Sequence, residues 1–98
     1  MKLNIQSIHF DADAKLLDFV QKKLDKLDTF YDKVVEGEVS LKLQNTDKNN
    51  KLVQVKLAIP GNDLIAKEDG GTFEEATDKA YESLKRQLTK HKEKMATY

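Results

Sequence analysis

Two hydrophobic periods alternate along this chain. Leu3 and Ile5 stand between polar neighbours, the period-two signature of a short first strand that ends at His9. Leu16, Val20, Leu24, Leu27 and Tyr31 then recur at helical spacing, with Leu17 beside them. Asp11 or Asp13 is placed to cap this helix, which begins near Ala14. Period two returns in Val35, Gly37, Val39, Leu41 and Leu43, set against Glu36, Glu38, Ser40, Lys42 and Gln44, and predicts a half-buried strand. Asn45-Thr46-Asp47-Lys48-Asn49-Asn50 reads as a hairpin loop. A third strand follows, in which Val53, Val55, Leu57 and Ile59 alternate with Gln54, Lys56 and Ala58. Pro60-Gly61-Asn62-Asp63 turns the chain again, and a short fourth strand is expected from Leu64 to Lys67. Gly70-Gly71 breaks it. Thr72-Phe73-Glu74-Glu75 has the form of a capping box, and Phe73, Ala76, Ala80, Leu84, Leu88 and Met95 continue as one face of a long second helix.

The element order is therefore βαβββα. An amphipathic four-stranded sheet must bury one face, and two helices packed on that face give an α+β two-layer domain. A right-handed first crossover makes strands one and two parallel. Ninety-eight residues suit one domain over 1–98. No run of about eighteen apolar residues is present, so no transmembrane helix is expected. The amino terminus turns polar at once and lacks the apolar block of a signal peptide. Without cysteine, neither a disulfide framework nor a thiolate metal site exists. These features predict a soluble, cytoplasmic protein.

Charge changes the picture. The chain carries 17 basic and 17 acidic residues, and a neutral sum argues at first against a polyanion partner. The distribution says otherwise. At about 100° per residue, Lys79, Arg86, Lys90 and Lys94 of the second helix fall within roughly 80° of one another. Asp78, Glu82, Glu75 and Glu93 form an acidic strip beside them. On the first helix Lys15, Lys22, Lys26 and Lys33 line up within roughly 40°. Lys23 lies between that stripe and the apolar face, and Asp18, Asp25, Asp28 and Asp32 occupy their own strip. Opposite charges meet at i,i+4 in three pairs, Asp18–Lys22, Glu75–Lys79 and Glu82–Arg86. Like charges meet in six: Lys22–Lys26, Asp28–Asp32, Glu74–Asp78, Asp78–Glu82, Arg86–Lys90 and Lys90–Lys94. Each like pair costs a few tenths of a kcal/mol, so the chain accepts a small loss to keep its cations together. The helix dipole accounts for the acidic start and basic end of the second helix, but not for the sideways sorting. From pattern alone, a nucleic-acid surface and a merely solvated face both stay open.

Several segments resemble one family. They are Leu3-Asn4-Ile5, Phe19-Val20, Lys23, Lys26-Leu27, Tyr31-Asp32-Lys33, Leu41-Lys42 and Ala76…Asp78. The strongest is Arg86-Gln87-Leu88-Thr89-Lys90-His91-Lys92. In this order and spacing they are similar to the ribosome hibernation-promoting factor and ribosome-associated inhibitor family, also called sigma-factor modulation proteins. The resemblance spans essentially the whole chain. It implies the βαβββα fold, similar to double-stranded-RNA-binding domains. It also implies a ribosome-binding domain that sits on the small ribosomal subunit between head and body. There it covers messenger and transfer-RNA sites and stops translation during starvation or stationary phase. By position, the implied ribosomal-RNA contacts are Lys23 and Lys26 on the first helix and Arg86 and Lys90 on the second, with Lys92 and Lys94 in looser positions. Lys22 and Lys79, with Lys33, join this set from the stripes. Family members often carry a lysine where Ser83 stands, and Lys79 is placed to compensate; Thr72 replaces a common acidic residue and still caps. The chain stops at Ala96-Thr97-Tyr98, without the family's C-terminal dimerisation domain or acidic tail, so a short hibernation-promoting form is expected. Such a form needs a separate ribosome-dimerising factor as a further partner.

Enzyme chemistry finds little support. His91 falls toward the apolar side of its helix and is expected to be packed; His9, Asp11 and Asp13 suit turn and capping roles. Ser7, Ser40 and Ser83 lack the neighbouring base of a triad. Gly70-Gly71 precedes a helix but no phosphate-loop lysine follows at the required spacing. Phe30 and Tyr31 close an apolar face. No cofactor, metal, small-molecule substrate or membrane is expected. The alternative reading is a protein-interaction or dimerisation module acting through the sheet face or edge, although Ser40, Lys42, Gln44, Gln54 and Lys56 make that face polar.

Overall fold

In the computed structural model, residues 1–45, 48 and 50–96 are described, with side chains as far as residue 93. The elements run β1 (Leu3–Ile8), α1 (Ala14–Asp25), a 3-10 turn (Lys26–Thr29), β2 (Glu36–Leu43), β3 (Lys51–Ile59), β4 (Asn62–Gly70) and α2 (Phe73–Ala96). The sheet order is β1-β2-β3-β4. β1 and β2 are parallel, as a helical crossover between them permits, and the other pairs are antiparallel. The α+β arrangement expected from the periodicities is the arrangement found.

The register explains which face is buried. Ile5, Val39, Val55 and Ala66 lie in one row across all four strands. Leu41 pairs with Val53 and Leu57 with Leu64 in the flanking rows. Against this face pack Val20 and Leu24 of α1, Leu27 of the turn, and Ala76, Ala80, Leu84 and Leu88 of α2, all fully buried. Gly37 fills an inward slot of β2 because a Cβ there would lie 2.5 Å from Leu3 Cδ2 and 2.9 Å from Leu57 Cδ2. The opposite face carries rows such as Asn4–Glu38–Lys56–Ile65 and Gln6–Ser40–Gln54–Lys67, and among the described residues no helix covers it.

Both helices start on local chemistry. The Leu16 amide donates to Asp13 Oδ1 at 2.8 Å, so Asp13 is the cap of α1. The Glu75 amide donates to Thr72 Oγ1 at 3.0 Å, and Glu75 Oε2 accepts the Gly71 amide at 3.1 Å. The capping box thus closes one residue earlier than its usual reciprocal bond. Phe10 stacks on Phe73 at 4.9 Å and 9°, tying the β1–α1 connection to the start of α2. His9, with φ of 65°, makes the turn out of β1.

Three boundaries differ from the sequence expectation. The first helix leaves α geometry after Asp25; in the tighter turn Thr29 Oγ1 donates to the Lys26 carbonyl at 2.7 Å. The Phe30 and Tyr31 amides both return to the Leu27 carbonyl, at 3.0 and 3.1 Å. This closure keeps Leu27 buried while Phe30 and Tyr31 fold back against the core. Lys33 therefore stands beyond the helix and outside its stripe, and Asp28–Asp32 is not a helical pair. β4 extends from Asn62 to Gly70, beyond the expected Leu64–Lys67, because ladder pairing of Glu68 with Val53 and Asp69 with Leu52 needs no apolar side chain. The turn before it is only Pro60-Gly61, with Gly61 at φ of 79° and Ile59 already paired with Asn62. The expected loop at 45–50 falls partly outside the described residues, but its closing bond is present, the Gln44 amide to the Asn50 carbonyl at 2.7 Å. No described helix is long and apolar enough to cross a membrane.

Candidate nucleic-acid interface

Because both helices lie on the same side of the sheet, their outward faces form one surface. Lys15, Lys22 and Lys26 are exposed along α1 and its terminal turn. Lys22 Nζ lies 3.0 Å from Asp18 Oδ2 in an open i,i+4 pair, which solvent weakens. Arg86 and Lys90 are exposed on α2, and Lys92 is exposed near the end of the same helix. Among the described residues, Lys26, Arg86, Lys90 and Lys92 have no ion-pair partner. Lys92 lines a shallow depression with Asp28, Thr29, Phe30, Tyr31, Asp32 and Lys33. The side chain of Lys94 lies outside the described residues.

Besides Lys22, two predicted contacts are engaged within the molecule. Lys79 donates to the Asp69 carbonyl on the outer edge of β4 at 3.0 Å and lies 3.8 Å from Glu75. Lys23 is the more telling case. Its ammonium reaches Asp78 of α2 at 3.3 Å and sits 4.8 Å from the centre of the Tyr81 ring. Only 23% of its side chain is exposed, so it bridges the two helices instead of joining the outward lysines. Its sequence position, between the α1 stripe and the apolar face, is the signal of this role.

These contacts order the surface. Asp78 faces α1 through Lys23, whereas Lys79 faces the β4 edge. At helical spacing Glu75 and Glu82 fall between them. The acidic strip of α2 therefore runs between two cationic ridges, Lys15–Lys22–Lys26 on α1 and Arg86–Lys90 on α2. Gln87 closes the β4 side by donating to the Ile65 carbonyl at 3.1 Å.

Two features escaped the sequence reading. The Met1 ammonium donates to Asp25 Oδ1 at 2.9 Å and Asp28 Oδ2 at 2.6 Å. Gln21 Nε2 bridges the Met1 carbonyl, at 3.0 Å, and Asp25, at 2.8 Å. The hydrogen bond to Asp28, then that to Asp25, raises the ammonium pKa above its ordinary 8.0. Acidic residues that crowd one another in sequence thus have partners from elsewhere. The second feature is aromatic. Lys85 lies 4.8 Å over the Phe30 ring, and Tyr31 meets His91 edge-on with its hydroxyl 3.4 Å from Nε2. His91 is half-buried there, a packed residue as its position predicts. Among the described residues no cluster of three or more His, Asp or Glu is placed to hold a metal ion.

The sequence and the fold both match one known group. Residues 3–96 match the family described as Sigma 54 modulation protein / S30EA ribosomal protein. The chain belongs to that family. A ribosome hibernation promoting factor of Pseudomonas putida is 33% identical over 94 residues, 96% of this chain and 89% of the relative. Its counterpart in Klebsiella oxytoca is 32% identical over 97% of both chains. A ribosomal subunit interface protein from Coxiella burnetii superposes with a TM-score of 0.84, covering 94% of this chain and 98% of that one. At 22% identity that last likeness speaks for the fold. Membership in the Sigma 54 modulation/S30EA family bears out the resemblance read from the sequence.

Proposed function

We propose that this protein is a cytoplasmic ribosome hibernation factor. It binds small-subunit ribosomal RNA through the outward faces of its two helices, blocks the messenger and transfer-RNA sites and holds translation off under stress or in stationary phase. The observation that carries this reading is the pair of cationic ridges on one surface of a neutral protein. Kinship with ribosome hibernation promoting factors supports it. Contacts made by lysine and arginine fall mainly on phosphates, so RNA shape is selected before base sequence. Lys22, Lys26, Arg86, Lys90 and Lys92 are the principal contacts, with Lys79 and Lys94 at the margin. Lys23 acts chiefly by setting the distance between the helices. The domain spans residues 1–98, acts by occupancy and not by catalysis, and leaves ribosome pairing to a separate factor. Purified protein mixed with vacant ribosomes at low salt should co-sediment with the small subunit and lower translation in a reconstituted system. Failure to co-sediment would sink the proposal.

A further inference from the structure

Phe19 has no role in the fold comparable to that of the other rings. Phe73 and Tyr81 are core residues, and Phe10, Phe30 and Tyr31 pack against the core. Phe19 is the only aromatic among the described residues that does neither, although it is half-buried at the surface of α1. On one side it lines a shallow depression with Lys15, Asp18, Lys22, Lys23 and Lys26, and on the other a second one with Phe10, Asp11, Asp13 and Glu74. Helical spacing explains the company: Lys15, Lys22 and Lys23 stand at i−4, i+3 and i+4 from the ring. Two other rings carry an ammonium over one face, Tyr81 under Lys23 and Phe30 under Lys85. Among the described residues nothing comparable covers Phe19.

A half-buried ring with four lysines along one side matches one ligand chemistry well. Each nucleotide of a single strand offers a flat base to stack and a phosphate to pair with an ammonium. A base inside a duplex shows only its edge to a side chain, so the ligand has to be unpaired. Asp18 opposes an anion, but it is already engaged by Lys22 at 3.0 Å. We infer that Phe19 is a stacking contact for an unpaired RNA base, with Lys15, Lys22 and Lys26 holding the flanking phosphates. The inference rests on the ribosomal-RNA reading and adds to it a contact that is not electrostatic.

The chain has no tryptophan, so Phe19→Trp introduces a single indole reporter at this place. Titration of that variant with a short single-stranded RNA should quench its fluorescence, and a duplex of the same length should quench it little. Phe19→Leu keeps an apolar side chain and should lower affinity for the single strand about tenfold, within the range for one lost stack. Its affinity for duplex RNA, its salt dependence and its melting temperature should stay close to those of the parent. Full single-strand affinity in Phe19→Leu, or equal quenching of Phe19→Trp by duplex RNA or by an acidic peptide, overturns the stacking contact. If Phe19→Leu folds poorly, the quenching comparison alone decides. Parent protein that co-sediments with ribosomes while Phe19→Leu binds unchanged removes this contact only; absence of co-sedimentation removes the reading beneath it.

Discussion

At the scale of single residues, the Met1 ammonium has the most readily measured consequence. Asp28 and Asp25 hold it charged, so its pKa in the folded chain is above 8.0 while the unfolded chain keeps the ordinary value. A group raised by folding contributes its full stabilisation below the unfolded value and loses it as pH climbs through the folded one. The melting temperature should therefore fall as pH rises above 8.0, and Asp25→Asn/Asp28→Asn should flatten that fall. An unchanged slope in the double variant would place the effect elsewhere. Lys23 is a second case. Its pairing with Asp78 and the Tyr81 ring predicts that Lys23→Ala lowers stability by about 0.5–1.5 kcal/mol in urea unfolding, while Lys26→Ala changes it little. Neither partnership is legible in the sequence. Met1 and Asp28 are separated by 27 positions, and Lys23 reaches across to another helix. Local charge spacing registered Glu74, Asp78 and Glu82 as mutual repulsion; the cation that answers Asp78 arrives only with the tertiary fold.

Elements divide by where their ends are decided. Asp13 and the Thr72–Glu75 box use side chains within three residues of the helix they start, so both starts were readable from the sequence. Thr72→Ala removes the Glu75 amide's acceptor and should destabilise the protein by about 1 kcal/mol, measured by chemical denaturation; Thr72→Ser should restore most of it. The far end of the first helix was not readable. Leu27, Phe30 and Tyr31 keep an apolar rhythm through a change from α to 3-10 geometry, and the preference for that geometry comes from packing against the core. The full length of the fourth strand is hidden in the sequence for a related reason. Its second half bonds through the backbone alone, without the alternation that marks a strand in the sequence.

For the whole molecule, the layer order and the buried face followed from two periodicities, whereas the pairing of charges between elements needed coordinates. Leu88, fully buried under α2, joins the helix layer to the sheet. Leu88→Ala should lower stability by about 2–5 kcal/mol and test the core directly. On the outward surface, Arg86→Glu/Lys90→Glu should abolish ribosome association without moving the melting temperature by more than a few degrees. Unchanged binding would show that the opposite face is used. With about five or six cations engaged, affinity should fall with salt at a log–log slope of very roughly −4 to −5.

The alternation of cationic, acidic and cationic ridges also bears on how the protein finds its partner. Opposite charges set side by side on a neutral body cancel within a few ångströms, and salt screens the remainder within about 8 Å. The long-range pull that speeds a basic protein toward any polyanion is then missing. Encounter should proceed near the unsteered rate, on the order of 10⁵–10⁶ M⁻¹s⁻¹, and depend weakly on ionic strength, with dissociation carrying most of the salt effect. On the proposed function, a protein built this way should reside longest where the phosphates are spaced to match its two ridges, and more briefly on other RNA.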